Sequence, residues 1–144
     1  MRTSMRKRTA AVFTATGILA AGALTAGAGT AAAASPTDVD FWVSDMDSSG
    51  SRSVLVVHKG RAVGAAYWEA DGDRLKAVDT HADGYGVAAY LGTSPVREAS
   101  TYGHKSPYTA TKGGNLQEGK TYTFWVCFGG NSGQLCSKVY KVKS

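Results

Sequence analysis

Cysteine is nearly missing from this chain: 144 residues hold two, Cys127 and Cys136. At that spacing they make neither a redox Cys-x-x-Cys pair nor, as two thiols alone, a zinc site. No stretch shows the apolar spacing of an amphipathic helix, which leaves strands as the regular structure. Long internal repeats are absent, and so is low-complexity sequence after residue 34. The chain is therefore neither a repeat array nor a low-complexity tail. No Gly-x-Ser-x-Gly or other nucleophile motif occurs. Asp45-x-Asp47-x-Ser49-Gly50 begins like a calcium loop, but its twelfth position is Val56. The bidentate carboxylate is missing, so the expectation there is an Asp/Ser-rich turn.

What stands at the start is an export address. Arg2, Arg6, Lys7 and Arg8 precede an apolar run over residues 10–28, and the alanines at 31–34 supply a signal-peptidase site before Ser35-Pro36. Residues 1–34 read as a secretory signal peptide and 35–144 as the exported domain. The implied location is extracellular and oxidising, with no membrane attachment after cleavage. Arg6-Lys7-Arg8 is not a twin-arginine motif, so the general export route is expected.

Removing the signal changes the charge. Of 16 basic residues four lie in it, and none of the 11 acidic ones do, which leaves the exported chain at net +1. That excludes the basic composition of a nucleic-acid binder. The remaining charge is uneven: residues 35–83 carry net −4 and residues 84–144 net +5. If folding keeps the halves apart, the molecule is dipolar and suits a charged partner.

The exported length is one domain with a single core. Three Trp, seven Tyr and three of the four Phe fall in it, between frequent glycines. This is an all-β composition. Alternation and turn residues predict strands over 39–44, 53–58, 62–69, 74–80, 85–91, 120–128 and 134–142. One or two short edge strands are expected within 92–117. Turns at Lys59-Gly60, Asp71-Gly72-Asp73 and Ala82-Asp83-Gly84 fall at the spacing of a sandwich or barrel. A disulfide between Cys127 and Cys136 is expected to pin the last hairpin across residues 129–133.

Residues 116–126, Leu-Gln-Glu-Gly-Lys-Thr-Tyr-Thr-Phe-Trp-Val, resemble the E–F corner of fibronectin type III and immunoglobulin-like domains. The resemblance implies a single immunoglobulin/fibronectin III-like β-sandwich. It makes Leu116 and Tyr122 the corner pair, with the Tyr122 hydroxyl bonded back to the corner. Tyr122, Phe124, Val126 and Phe128 would face the core. Thr121, Thr123, Trp125 and Cys127 would face out. A second resemblance rests on Asp71-Gly72-Asp73, Asp79, residues 82–87, Glu118-Gly119-Lys120 and the late cysteine pair. Together they look like the small secreted proteins of actinomycetes, a group that implies no activity. Relatives in that group often carry further cysteines mid-chain, and this sequence has none there.

Trp125, Trp68 and Tyr67 are the candidate ligand-binding residues. Strand alternation turns one of each adjacent aromatic pair away from the core, and an exposed aromatic face stacks on sugar rings or anchors a protein. No catalytic residue is assigned. Asp71 and Asp73 stand a strand's length from Asp79 and Asp83, too far for a glycosidase pair. Asp79, His81 and Asp83 are the nearest thing to a catalytic cluster, but turn-capping carboxylates and exposed loop histidines (His58, His81, His104) are the plainer expectation. No metal or cofactor is implied. The leading reading is a secreted, monomeric, non-catalytic binding module for a glycan, cell-wall or secreted protein partner. An inhibitor presenting loop 92–113 or 129–135, and a small hydrolase, are the alternatives.

Overall fold

A computed structural model describes residues 34–144. The expected signal peptide, apart from Ala34, lies outside the described residues. Every regular element among them is a strand: β1 Val39–Val43, β2 Arg52–His58, β3 Arg61–Glu69, β4 Arg74–Asp79, β5 Gly86–Leu91, β6 Arg97–Ser100, β7 Tyr108–Lys112, β8 Thr121–Gly130, β9 Gly133–Cys136 and β10 Tyr140–Lys143. No helix among these residues is long and apolar enough to cross a membrane.

The strands form two antiparallel sheets packed as a sandwich. One has the order β1-β2-β3-β4-β7 and the other β10-β8-β5-β6, with β9 also paired to β8. Local chemistry explains the first meander. Lys59 and Gly60 both take positive φ, 51° and 73°, as a two-residue type I′ hairpin between β2 and β3 requires. Residues 92–117 do contain two short edge strands, β6 and β7, one in each sheet.

The expected last hairpin is present, but its return arm is broken. Cys127 pairs with Cys136 and Phe124 with Tyr140, so β9 and β10 lie end to end along one edge of β8. Between them Ser137 takes over the ladder. Its N–H donates to the Val126 carbonyl at 2.8 Å, and its hydroxyl accepts from the Val126 N–H at 3.1 Å. The disulfide Cys127–Cys136 bridges this arm to β8.

Alternating side chains of both sheets fill the core. Val54, Val56, Trp68 and Leu75 come from the first, and Val87, Leu91, Phe124, Val126 and Phe128 from the second. The predicted inward face of β8 is as observed: Tyr122, Phe124, Val126 and Phe128 are buried. Among the described residues the Tyr122 hydroxyl makes no hydrogen bond. Its ring instead lies beneath the Lys120 ammonium, 5.5 Å from the centroid. The corner is thus held by packing, with Leu116 against the core.

The acidic side chains of residues 35–83 sit mainly in loops: strands β1 to β4, all in the first sheet, hold three (Asp40, Glu69, Asp79) against four basic ones (Arg52, Arg61, Arg74, Lys76). The basic stretch builds the second sheet, with β7 alone crossing over.

Candidate functional site

In β5 the residues Val87, Ala89 and Leu91 point into the core, so Ala88 and Tyr90 face outward. The β5–β8 register sets Tyr90 directly opposite Trp125. The two rings stack, with centroids 5.3 Å apart and planes within 11°. Trp125 therefore faces out as expected, but it is half-buried against Tyr90 instead of standing alone. On the other side of Tyr90 the register places Glu98 of β6.

Tyr102 extends this row toward one end of the sandwich. It lies over Gly86, where any side chain would collide with its ring. Its hydroxyl donates to Gln134 Oε1 at 3.0 Å, which ties the β6–β7 connection to β9. Burial pushes the Tyr102 hydroxyl far above its usual range, and the neighbouring Tyr90 and Glu98 add to the effect. Burial raises Tyr90 as well, and the Glu98 carboxylate raises it further. Both phenols are neutral hydrogen-bonding groups at any physiological pH.

Beyond Tyr102 the row opens into a cleft of about 450 Å³ where three connections meet, β4–β5, β6–β7 and β8–β9. Tyr85, Tyr102, His104 and Asn131 line it, with Lys105 and Ser106 at one side. The walls are braced. His104 stacks on Tyr108 with centroids 3.9 Å apart and planes within 7°. The Ser35 hydroxyl donates to the Ser132 carbonyl at 2.6 Å, and the Tyr85 hydroxyl donates to the Ala34 carbonyl at 2.8 Å, a bond that cleavage after Ala34 would remove. A concave site with aromatic walls and a few fixed polar groups is the usual form of a small-ligand pocket.

The other two candidate residues do not join this site. Trp68 is 1% exposed and its indole N–H donates to the Lys143 carbonyl at 2.6 Å. It is a core residue, unavailable to a ligand. The pleat of β3 turns its neighbour Tyr67 outward instead, 39% exposed, on the face of the first sheet. Tyr67 and Trp125 thus lie on opposite sides of the sandwich, and one ligand cannot span both. Tyr67 borders a separate hollow of about 340 Å³ beside Asp47 and Arg52.

The carboxylates knit loops. Asp79 is buried, with Oδ1 accepting from the His81 N–H at 3.0 Å and Oδ2 from the Ser106 hydroxyl. Asp83 accepts from the Tyr85 N–H at 3.0 Å. Asp73, at the far end of β4, is buried too. It accepts from the Leu116 N–H at 2.7 Å and the Ser144 hydroxyl at 2.9 Å. Asp47 caps its own turn, accepting from the N–H groups of Ser49 and Ser51 at 2.9 Å each. The bond from the Ser49 hydroxyl is the largest of the effects that hold its carboxyl below the ordinary range. This is the Asx geometry expected of an Asp/Ser-rich turn.

One histidine departs from expectation. His58 is buried, packed edge-on against Tyr85 and tilted against Phe128, with Nδ1 3.8 Å from Asp83. The end of β2 places it under the β4–β5 connection, which sequence adjacency to a turn did not reveal. Among the described residues no three His, Cys, Asp or Glu side chains gather closely enough to hold a metal.

Comparison of the chain with protein-family models, curated proteins and solved structures found no match.

Sequence reasoning missed Tyr90 and Tyr102. The signal for Tyr90 was present: it alternates with Val87, Ala89 and Leu91 in β5 exactly as an outward residue does. No local pattern marks Tyr102, whose position depends on the absent side chain of Gly86.

Proposed function

We propose that this protein is a secreted, non-catalytic binding module that takes an acidic polysaccharide along the outer face of its second sheet and into the end cleft. One observation carries the reading: Trp125, Tyr90 and Tyr102 form a braced aromatic row that runs into a cleft, built from the part of the chain (84–144) whose net charge is +5. Aromatic rings stack on the apolar faces of sugars. Lys105 at the cleft and Lys141 on β10 supply the charge that favours an acidic polymer. The amide of Asn131 offers hydrogen bonds at the cleft, and the Ser106 hydroxyl, which donates to Asp79, still offers an acceptor there.

Strand order supports the immunoglobulin/fibronectin III-like reading. The adjacencies β3-β4-β7 and β5-β8-β10 correspond to A-B-E and C-F-G of such sandwiches. Strands β1 and β2 are then an addition to the A edge. The disulfide lies within the last hairpin and does not join the two sheets.

The test is retention of the exported protein on insoluble acidic and neutral glycans. Acidic glycans should retain it, and added salt should release it. Trp125→Ala and Tyr102→Ala should lose retention with little change in fold. Equal retention by the parent and Trp125→Ala would overturn the reading, as would binding indifferent to the charge of the glycan.

A further inference from the structure

The four sheet edges are not alike. Strand β6 is four residues long and charged, β7 follows Pro107 and ends on Lys112, and β10 carries Lys141 and Lys143. Short length, proline and lysine are the usual means of keeping an edge from pairing. Strand β1, Val-Asp-Phe-Trp-Val, is also short at five residues but has neither proline nor lysine, and a single charge, Asp40. It also carries two of the most exposed large apolar side chains, Trp42 at 61% and Val43 at 42%.

The ladder to β2 fixes which backbone groups remain free. Ser44 donates to Ser53 and Lys59 donates to Asp38, at 2.9 Å each. Hydrogen-bonded pairs alternate in an antiparallel ladder, so Asp40 and Trp42 bond toward β2. The N–H and C=O groups of Val39, Phe41 and Val43 then point away from the sheet. Among the described residues nothing takes them up.

We propose that a second copy of this chain pairs with this edge, antiparallel and two-fold about Phe41, joining the two first sheets into one. The register follows from the free groups. Centring on Phe41 sets Phe41 against Phe41 and Val39 against Val43, so every outward group on both strands is used. Centring on Asp40 or Trp42 leaves one outward residue on each strand beyond the opposing strand. Centring on Asp40 also sets two carboxylates face to face, which is unfavourable. In the Phe41 register Asp40 lies opposite Trp42 of the other copy, on the outer face. That places an indole N–H beside the only charge of the strand.

A five-residue pair buries less than the standard interface of about 1,600 Å². The dimer is therefore weak and concentration-dependent. It also brings two copies of the segment 35–51 together, which holds four Asp and no Lys or Arg, so salt strengthens it. Salt should do the opposite to a complex of the basic half with an acidic glycan, and the two contacts lie on different sheets. Neither proposal rests on the other. The sequence led to the expectation of a monomer, since an unprotected edge is visible only once the sheet order is known.

Sedimentation equilibrium of the exported chain tests this over about 1 µM to 1 mM, the range in which so small an interface should associate. The parent should move from monomer to dimer across that range, more readily at high salt. Trp42→Asp sets like charges opposite each other twice and should weaken the dimer at least about tenfold. Asp40→Lys combined with Trp42→Asp restores opposite charges only in the Phe41 register, and should restore the dimer. Val43→Pro removes an outward donor without touching the β2 ladder, and should also give monomer. Circular dichroism confirms that each variant is folded. A parent that stays monomeric throughout, a Trp42→Asp dimer as tight as the parent's, or a double variant that fails to recover would each overturn the proposal.

Discussion

The indole N–H of Trp68 donates to the main-chain carbonyl of Lys143 at 2.6 Å, which links β3 of one sheet to β10 of the other. A fully buried side chain therefore does two things: it fills the core and it ties down the last strand.

Replacing Trp68 by Phe should separate those roles. The ring volume is largely kept, while the Lys143 carbonyl loses its partner. The expected cost is about 1–3 kcal/mol from the orphaned acceptor and the smaller ring together. Urea denaturation of parent and variant measures it. A change below about 0.5 kcal/mol would mean that water replaces the indole at no cost.

The corner of β8 gives a sharper contrast. Phe124 is fully buried, so Phe124→Ala should cost about 3–5 kcal/mol. The Tyr122 hydroxyl has no hydrogen-bond partner among the described residues, so Tyr122→Phe should stay within about 0.5 kcal/mol. A tyrosine corner with its usual hydroxyl bond would make the second figure about 1–2 kcal/mol. Thermal melts of the two variants side by side decide between these accounts.

Strands that alternate cleanly were legible in the sequence, β1 to β5 and β8 among them, because one buried face writes a period of two into the chain. The Lys59-Gly60 turn was legible because its positive φ values restrict which residues serve there. The site was less so. Adjacent aromatics such as Tyr67 and Trp68 must split between faces, but the sequence does not say which faces core. The answer came from the pairing of Trp68 with Leu75 and its reach to Lys143. The stack of Tyr90 on Trp125 joins residues far apart in sequence, and only the β5–β8 register brings them together.

Cys127 and Cys136 close a short loop on the hairpin that carries Gln134, the acceptor for Tyr102. In the chain-entropy account a loop of this length stabilises by roughly 2.5–3 kcal/mol. Cys136→Ser should lower the melting temperature accordingly. It should also loosen the β9 arm and so weaken ligand retention more than the stability loss alone explains. Intact mass before and after reduction, differing by two hydrogens, establishes the bond in the folded protein. Two free thiols in native material would contradict it.

Tyrosine ionisation probes the aromatic row directly. The folded protein holds the protons of Tyr102 and Tyr90 more tightly than the unfolded chain, whose phenols titrate near their ordinary value of 10.0. With the folded value raised, the contribution to stability is fully present below pH 10. It is lost as pH rises past that point, where only the unfolded chain gives up its protons. Stability should therefore fall with increasing pH on the alkaline side, and phenolate absorbance should show a late-titrating step. Tyr102→Phe removes the more strongly shifted phenol. It should reduce that late step and flatten the alkaline loss of stability, though it also gives up the bond to Gln134 and starts from a lower value. If Tyr102→Phe instead removes absorbance from the ordinary step near 10.0 and leaves the late step intact, the ring is open to solvent, and the row ends at Tyr90 without reaching the cleft.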